Sequence, residues 1–415
     1  MDIKITPSKM CGQINAIASK SYAHRILMCA LLSKDNGVIK NAINSKDICA
    51  TINCLNALGV NVEIKDNNFY LTKGKMQENV VLDCIESGST LRFILSIVLA
   101  LSVPCTIIGR EGLAKRPLGE LINVLKEHGA NIDSDSLPLS VSGKLTPGAY
   151  TIDGSISSQY ITGLLMALPI LHGDSEIIVK GSLVSSNYID ITIEVMKLFN
   201  VFVEKKENNF KIKGNQQYIF PKDISIQGDW SNAAFWLSLG AINNGIKVSG
   251  LELNSSQGDK EILNIIEKMG GKISYENKDI IVEKSKLHGI DIDANNIPDL
   301  CPIISILSAC ATGVTKIKNV DRLKIKETDR LSAIIETLDK MGVKCEYKDN
   351  VLTIYGGRIK AFNGKSYNDH RMVMMQAIAA SVADGECSIQ NIEAIDKSYP
   401  TFFEDYKTLG GIYNV

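Results

Sequence analysis

Four cations stand at the start of apolar, helix-like runs, the end of a helix that least tolerates a positive side chain. Lys20 and Arg25 follow the cluster Ala18-Ser19-Lys20-Ser21, Arg92 follows Ser87-Gly88-Ser89-Thr90, and Arg371 closes Asn368-Asp369-His370-Arg371. A helix N-terminus carries partial positive charge, so each unpaired cation there costs roughly 0.3–1 kcal/mol. Repeated at equivalent positions, the misplacement implies an anion that reverses the sign. Exposed N–H groups, small residues that allow close approach and basic side chains together describe a phosphate or carboxylate site. Three further runs are preceded by Ser157-Ser158-Gln159, Gly228-Asp229-Trp230-Ser231 and Pro298-Asp299. Their hydroxyls and carboxylates also suit a plain N-cap role.

A second set of cations precedes other helix-like segments: Lys115-Arg116-Pro117, and Lys324-Ile325-Lys326-Glu327-Thr328-Asp329-Arg330, with Thr328 the expected cap. Lys397 stands before Ser398-Tyr399-Pro400. Two acids lie among these cations. Asp299 reads either as an N-cap or as a base kept ionised by positive surroundings. Glu327 reads either as a salt-bridge partner or as a proton donor, the latter requiring a carboxyl raised by burial or by bound anions.

The elements that position these residues recur with a fixed period. Apolar runs open at Ser21, Leu91, Gln159, Ser231, Leu300 and His370, 68 to 72 residues apart. Amphipathic segments stop in phase at Gly59, Gly129, Asn200, Gly270, Gly342 and Gly410. A period this long is a supersecondary unit and not a one-hairpin solenoid repeat. The second copy shows its parts: a β-branched strand at residues 80–84, a polar turn, a buried helix from Leu91 to about Ser102, and a strand at residues 106–108. An amphipathic helix over residues 118–128, introduced by Pro117, and two alternating strands complete it. The order is βαβαββ. Six such units predict an α/β protein of two domains, three units in each, with helices buried and sheets outward. The sixth unit lacks a strand partner, so the N-terminal strand is expected to complete it and make the first domain discontinuous. The domain crossing falls in residues 214–228, where periodicity lapses. Helix N-termini emerging on one face of each domain would line an interdomain cleft with anion-binding groups.

Composition bounds the rest. At 415 residues and 45% apolar, the chain can bury large cores, and a net charge of −1 argues against nucleic-acid or membrane-surface binding through global attraction. Ten scattered cysteines with no Cys-x-x-Cys pair read as reduced and inert in a cytoplasmic protein. No metal or cofactor is expected. The opening Met1-Asp2-Ile3-Lys4-Ile5 reads as strand and not as a secretory signal, and the longest apolar run, residues 93–103, is too short to span a bilayer.

Taken together the motifs resemble the 5-enolpyruvylshikimate-3-phosphate (EPSP) synthase family. The resemblance rests on Ser19-Lys20-Ser21 with Arg25, the Ser-Gly-Ser-Thr-x-Arg turn and Arg116-Pro117. It continues through Asp153-Gly154-Ser155 with Ser157-Ser158-Gln159, Leu183-Val184-Ser185 with Tyr188-Ile189-Asp190, and Ile297-Pro298-Asp299. Lys326-Glu327-Thr328-Asp329-Arg330 and Asn368-Asp369-His370-Arg371-Met372 complete it, all in family order over the whole chain. The resemblance implies a two-domain inside-out α/β barrel of six βαβαββ repeats, with domains 1–13 plus 227–415 and 14–226 and the active site in the cleft. It implies transfer of the enolpyruvyl group of phosphoenolpyruvate to the 5-hydroxyl of shikimate 3-phosphate, with release of phosphate, in the shikimate pathway leading to chorismate and aromatic amino acids.

By the same resemblance, Lys20, Ser21, Arg25, Ser157, Ser158, Gln159, Ser185, Asp299 and Lys326 would hold shikimate 3-phosphate. Lys20, Gly88, Arg116, Gln159, Arg330, Arg371 and Lys397 would hold phosphoenolpyruvate. Asp299 would be the base and Glu327 the proton donor, with Lys20 also catalytic. The expected protein is a cytoplasmic monomer whose partners are these small molecules, with no cofactor. Two departures, Glu86-Ser87-Gly88-Ser89 where many members have Asn-Ala-Gly-Thr and Arg322 where some have Asn, bear on the response to glyphosate. The sister transferase acting on UDP-N-acetylglucosamine usually carries a cysteine before the Arg-Pro element, and residues 109–117 contain none. A non-catalytic binder of phosphorylated metabolites on the same scaffold would keep the cations without needing both Asp299 and Glu327.

Overall fold

Each polar cluster turns into a helix N-terminus. In a computed structural model that describes all 415 residues except the side chain of Glu111, the apolar runs form the helices Lys20–Leu32, Gly88–Ala100, Ser158–Ala167, Trp230–Ile242, Cys301–Cys310 and His370–Ala380. Five have side-chain N-caps. Ser19 accepts from the Tyr22 N–H, Ser87 from Thr90, Ser157 from Gln159, Asp229 from Asn232 and Asp369 from Arg371. Pro298-Asp299 departs from the N-cap reading. It lies inside a 3-10 turn, Pro298–Leu300, and arginines engage the Asp299 carboxylate. All six helices are buried over most of their length, as helices that are apolar all round must be.

The amphipathic segments form Lys46–Ala57, Gly119–Glu127, Ser186–Leu198, Ile262–Lys268, Arg330–Lys340 and Phe402–Thr408. Their stops at Gly59, Gly129, Asn200, Gly270, Gly342 and Gly410 all have positive φ, from 60° to 98°. This is the left-handed conformation that ends a helix, and glycine or asparagine adopts it with least strain. The expected cap Thr328 is corrected: the helix starts at Arg330, so Asp329 occupies the cap position and accepts from the Ser332 N–H at 3.1 Å.

The strands form six separate open sheets. Five are four-stranded and one three-stranded. In the second copy Val80–Asp83 runs parallel to Cys105–Ile108, which pairs antiparallel with Leu139–Gly143 and through it with Ala130–Ile132. The three-stranded sheet lacks the first, parallel strand, but Lys40 makes a parallel bridge with Ser225 at that edge.

Two compact units result: Met1–Ile17 with Gln227–Val415, and Ala18–Ile226. The first needs the N-terminal segment twice. Ile3–Thr6 lies between Cys387–Gln390 and Ile412–Asn414, and Gly12–Asn15 pairs parallel with Ile246–Ser249. Because the second of these strands runs to Asn15, the chain leaves the first unit after Ile17, not at residue 13. Within the second unit the helices Gly88–Ala100 and Ser158–Ala167 pack very closely. A Cβ on Gly163 would stand 2.5 Å from the Arg92 carbonyl oxygen. Among the described residues no helix is long and apolar enough to cross a membrane.

Candidate active site

The second unit gathers one group of predicted residues. Lys20 and Ser21 begin a helix, and the Lys20 ammonium donates to Asp47 at 2.8 Å. Arg25, one turn on, is buried and braced. Its Nε donates to Thr192 Oγ1 at 2.8 Å, its Nη1 to the Ser21 carbonyl at 2.8 Å and its Nη2 to the Tyr188 carbonyl at 3.0 Å. The guanidinium also lies 5.2 Å from the Phe93 ring centroid. Burial pulls it down to about 10, still well above neutrality, so it keeps its charge.

The neighbouring helix starts converge on Gly88. A Cβ there would stand 2.5 Å from Arg92 Nη1 and 2.6 Å from Arg116 Nη1, so only glycine leaves both guanidinium groups where they are. Arg92 Nη1 donates to Gln159 Oε1 at 3.0 Å, and Gln159 Nε2 donates to Ser89 Oγ at 2.9 Å. This fixes the Gln159 amide against the first turns of Gly88–Ala100. The buried Nε of Arg116 has no hydrogen-bond partner among the described residues. Ser157 and Ser158 stand at the adjoining helix start, Ser158 buried, and Ser185 is buried in left-handed backbone just before Ser186–Leu198. Backbone N–H groups, hydroxyls and guanidinium groups thus cluster as anion binding requires.

Behind this layer His24 Nδ1 bonds Thr51 Oγ1 at 2.8 Å, Thr51 bonds Thr90 Oγ1 at 2.7 Å, and Thr90 donates to Ser87 Oγ at 2.7 Å. The chain ties the helices Lys20–Leu32 and Lys46–Ala57 to the start of Gly88–Ala100. Burial, with Lys20 and Arg25 nearby, lowers His24 well below its usual value and keeps the ring neutral.

The first unit gathers the other group around one arginine. Arg330 is fully buried, and each nitrogen of its guanidinium meets a carboxylate. Nε donates to Asp369 at 2.9 Å, Nη1 to Asp299 at 2.9 Å and Nη2 to Glu327 at 2.5 Å. Burial works against its charge, but Asp369, Glu327 and Asp299 outweigh burial and raise it. Asp299 also accepts from Arg371 Nη2 at 3.2 Å and lies 3.4 Å from the Lys326 ammonium. Burial lowers Lys326, and Asp299 opposes that shift. Lys397 donates to the Asn368 carbonyl at 2.7 Å, which brings it to the turn that carries Arg371. Asp299 thus faces two arginines and a lysine, cationic partners that favour a carboxylate's ionised form. Glu327, on the same guanidinium, has a cationic partner that favours its ionised form.

All the predicted residues of the first unit, Asp299, Lys326, Glu327, Arg330, Arg371 and Lys397, therefore fall in one neighbourhood. Sequence reasoning missed Asp47 on Lys20, Thr192 on Arg25 and the second role of Asp369. The first two carry no local signal, because they lie 27 and 167 residues from their partners. Asp369 stood in a motif but read only as a cap. In fact one oxygen caps Arg371 while the other holds Arg330. Six of the ten thiols are buried, and Cys11 is exposed. Burial pushes Cys105, Cys301 and Cys310 up to about 12.

A family model for EPSP synthase (3-phosphoshikimate 1-carboxyvinyltransferase) matches residues 5–406. The 3-phosphoshikimate 1-carboxyvinyltransferase of Clostridium novyi is 42% identical over 428 residues, covering 99% of this chain and 98% of that protein. That of Clostridium kluyveri is 41% identical over 416 residues, covering 99% and 97%. Among solved structures, EPSP synthase from Acinetobacter baumannii superposes with a TM-score of 0.85 at 22% identity, covering 100% of both chains. The enolpyruvyl transferase NikO from Streptomyces tendae gives 0.82 at 15% identity, covering 100% and 98%. These two likenesses establish a shared mixed α/β fold, and the match to the family model over nearly the whole chain together with relatives above 40% identity shows that the chain belongs to the EPSP synthase (3-phosphoshikimate 1-carboxyvinyltransferase) family.

Proposed function

We propose that the chain transfers the enolpyruvyl group of phosphoenolpyruvate to the 5-hydroxyl of shikimate 3-phosphate, giving 5-enolpyruvylshikimate 3-phosphate and phosphate. The observation that carries this reading is Asp299, held by Arg330 and Arg371 beside Lys326, in a chain that matches the family model over residues 5–406. The chemistry asks for what these residues offer. A new C–O bond must form at C2 of phosphoenolpyruvate and the C2–phosphate bond must break. Protonating the methylene carbon makes C2 electrophilic, a base takes the proton of the attacking hydroxyl, and loss of a proton from the methyl group restores the alkene.

Asp299 is assigned as the base and as a shikimate 3-phosphate ligand, with Lys20, Ser21, Arg25, Ser157, Ser158, Gln159, Ser185 and Lys326. Phosphoenolpyruvate is assigned to Lys20, Gly88, Arg116, Gln159, Arg330, Arg371 and Lys397. Arg330 already carries three carboxylates, so an incoming anion must exchange with one of them. Glu327 is the most exposed of the three and the natural one to be displaced. Displacement releases Glu327 from the contact that favours its ionised form, which is the condition for it to act as proton donor.

The six open sheets and six buried helices support a finer fold reading, an inside-out α/β barrel with three βαβαββ units in each of two domains. A cytoplasmic monomer with no macromolecular partner belongs to the same proposal. Release of phosphate is the test: it should require both substrates together and fail when either is omitted.

A further inference from the structure

Lys397, one of the cations assigned to phosphoenolpyruvate, is anchored from behind by a part of the core that the assignments above leave unused. Its ammonium donates to the Asn368 carbonyl at 2.7 Å, and the residue is 8% exposed. A lysine ammonium rides on a flexible four-carbon stem, so its position depends on how firmly the backbone beneath it is held. Lys397 closes the 3-10 segment Ile392–Lys397, and the Ser398 and Tyr399 N–H groups both return to the Ile395 carbonyl, at 3.1 and 2.9 Å. The side chains of these two residues are tied to one buried helix. Asn232 Nδ2 donates to Ser398 Oγ at 3.1 Å, and Trp236 Nε1 donates to the Tyr399 hydroxyl at 3.0 Å. Asn232 and Trp236 lie one turn apart in Trp230–Ile242 and so share a face. Tyr399 in turn donates to Asp405 Oδ2 at 2.7 Å, in Phe402–Thr408.

The hydroxyl separates this arrangement from plain packing. Trp236, Tyr399 and Phe402 already pack ring on ring, with centroids 4.7 to 6.1 Å apart, and a phenylalanine at residue 399 would fill the same space. A buried phenol without partners costs stability, but this one has two, an indole N–H and a carboxylate. Burial, with Asp405 beside it, holds the phenol well above its usual range, so it keeps the proton it donates. Directed bonds of this kind fix one placement where apolar contact alone tolerates several. We propose that Tyr399 is a positioning residue: held between Trp236 and Asp405, it keeps the backbone of Lys397 in register with the turn that carries Arg371 and so aims the Lys397 ammonium at phosphoenolpyruvate. The inference rests on the assignment of Lys397 to that substrate.

A double-mutant cycle tests this, with KM for each substrate and kcat measured in the wild type, Tyr399→Phe, Lys397→Ala and the double variant. Tyr399→Phe should raise KM for phosphoenolpyruvate on the order of fivefold, as loss of one hydrogen bond can, while kcat and KM for shikimate 3-phosphate stay nearly unchanged. In the Lys397→Ala background the same substitution should add nothing, because the group it positions is gone. A fall in Tm accompanies a purely structural role too and does not decide. If Tyr399→Phe does not fold, Asp405→Ala removes the acceptor on the other side of the phenol, and its cycle with Lys397→Ala decides by the same rule. An unchanged KM for phosphoenolpyruvate, an equal rise for both substrates, or a rise of the same size in the Lys397→Ala background overturns the inference and leaves the proposed function standing. A Lys397→Ala protein with the wild-type KM for phosphoenolpyruvate overturns the assignment beneath it as well.

Discussion

Arg330 holds the most at the scale of single residues. A buried guanidinium survives only when paired, and removing one partner of such a pair typically costs ~3–5 kcal/mol. Asp299, Glu327 and Asp369 supply the pairing from three separate elements. The sequence showed acids among cations at residues 299 and 327, which was enough to suspect proton transfer. That both acids and Asp369 share one guanidinium was invisible, because their spacing reflects how a 3-10 turn, a loop and a helix start pack together. If Glu327 donates the proton, Glu327→Gln keeps shape and hydrogen bonding but removes the acid. Turnover should then fall about 10²–10⁴-fold with substrate affinities nearly unchanged. A partly exposed counter-ion alone is worth about 0–1 kcal/mol, so near-normal turnover would reduce Glu327 to that role and turn attention to Lys20. The substrate partition is testable by calorimetric titration. Lys397→Ala and Arg116→Ala should weaken phosphoenolpyruvate binding more than shikimate 3-phosphate binding, and Ser157→Ala should do the reverse. Equal losses in all three would refute the partition.

The helix starts are the elements that make the site, and they were the most legible part of the chain. Five clusters read as capped N-termini formed them, and all six expected stops have positive φ. Pro298-Asp299 was the exception, because prolines at residues 298 and 302 allow a tighter turn in which Asp299 faces arginines instead of the backbone. The close approach at Gly88 gives an element-level prediction. The obstacles to a Cβ there are the flexible ends of Arg92 and Arg116, so Gly88→Ala should spare the fold and displace the guanidinium groups. KM for phosphoenolpyruvate should rise on the order of tenfold, ~1.4 kcal/mol, with little change in Tm. A large loss of Tm with unchanged KM would show that Gly88 serves packing alone. The His24–Thr51–Thr90–Ser87 chain adds a pH term. The folded His24 is depressed while the unfolded ring protonates near 6.5, so its contribution is present above about pH 6.5 and is lost as pH falls through the folded value. Thermal melts should show this acid-side loss, and His24→Gln should flatten it. An identical slope in both proteins would place the sensitivity elsewhere.

For the whole molecule, the repeat period announced six similar copies and the need for an N-terminal strand, but the exact point where the chain leaves the first unit depended on strand pairing that periodicity does not encode. The two units make unequal demands on the chain. Ala18–Ile226 is continuous, whereas the other unit needs Ile3–Thr6 inside one sheet and Gly12–Asn15 at the edge of another. A fragment of residues 18–226 should unfold cooperatively by itself. A fragment of residues 227–415 should not, because it leaves two flanking strands unpaired and a sheet without its inner member. Cooperative melting of the second fragment would mean that the N-terminal strands are dispensable. The central claim concerns the reaction, and phosphate release tests it most directly. The protein mixed with phosphoenolpyruvate and shikimate 3-phosphate should liberate phosphate in step with 5-enolpyruvylshikimate 3-phosphate, and omission of either substrate should abolish release. No release with both present, or release only when UDP-N-acetylglucosamine replaces shikimate 3-phosphate, would contradict it.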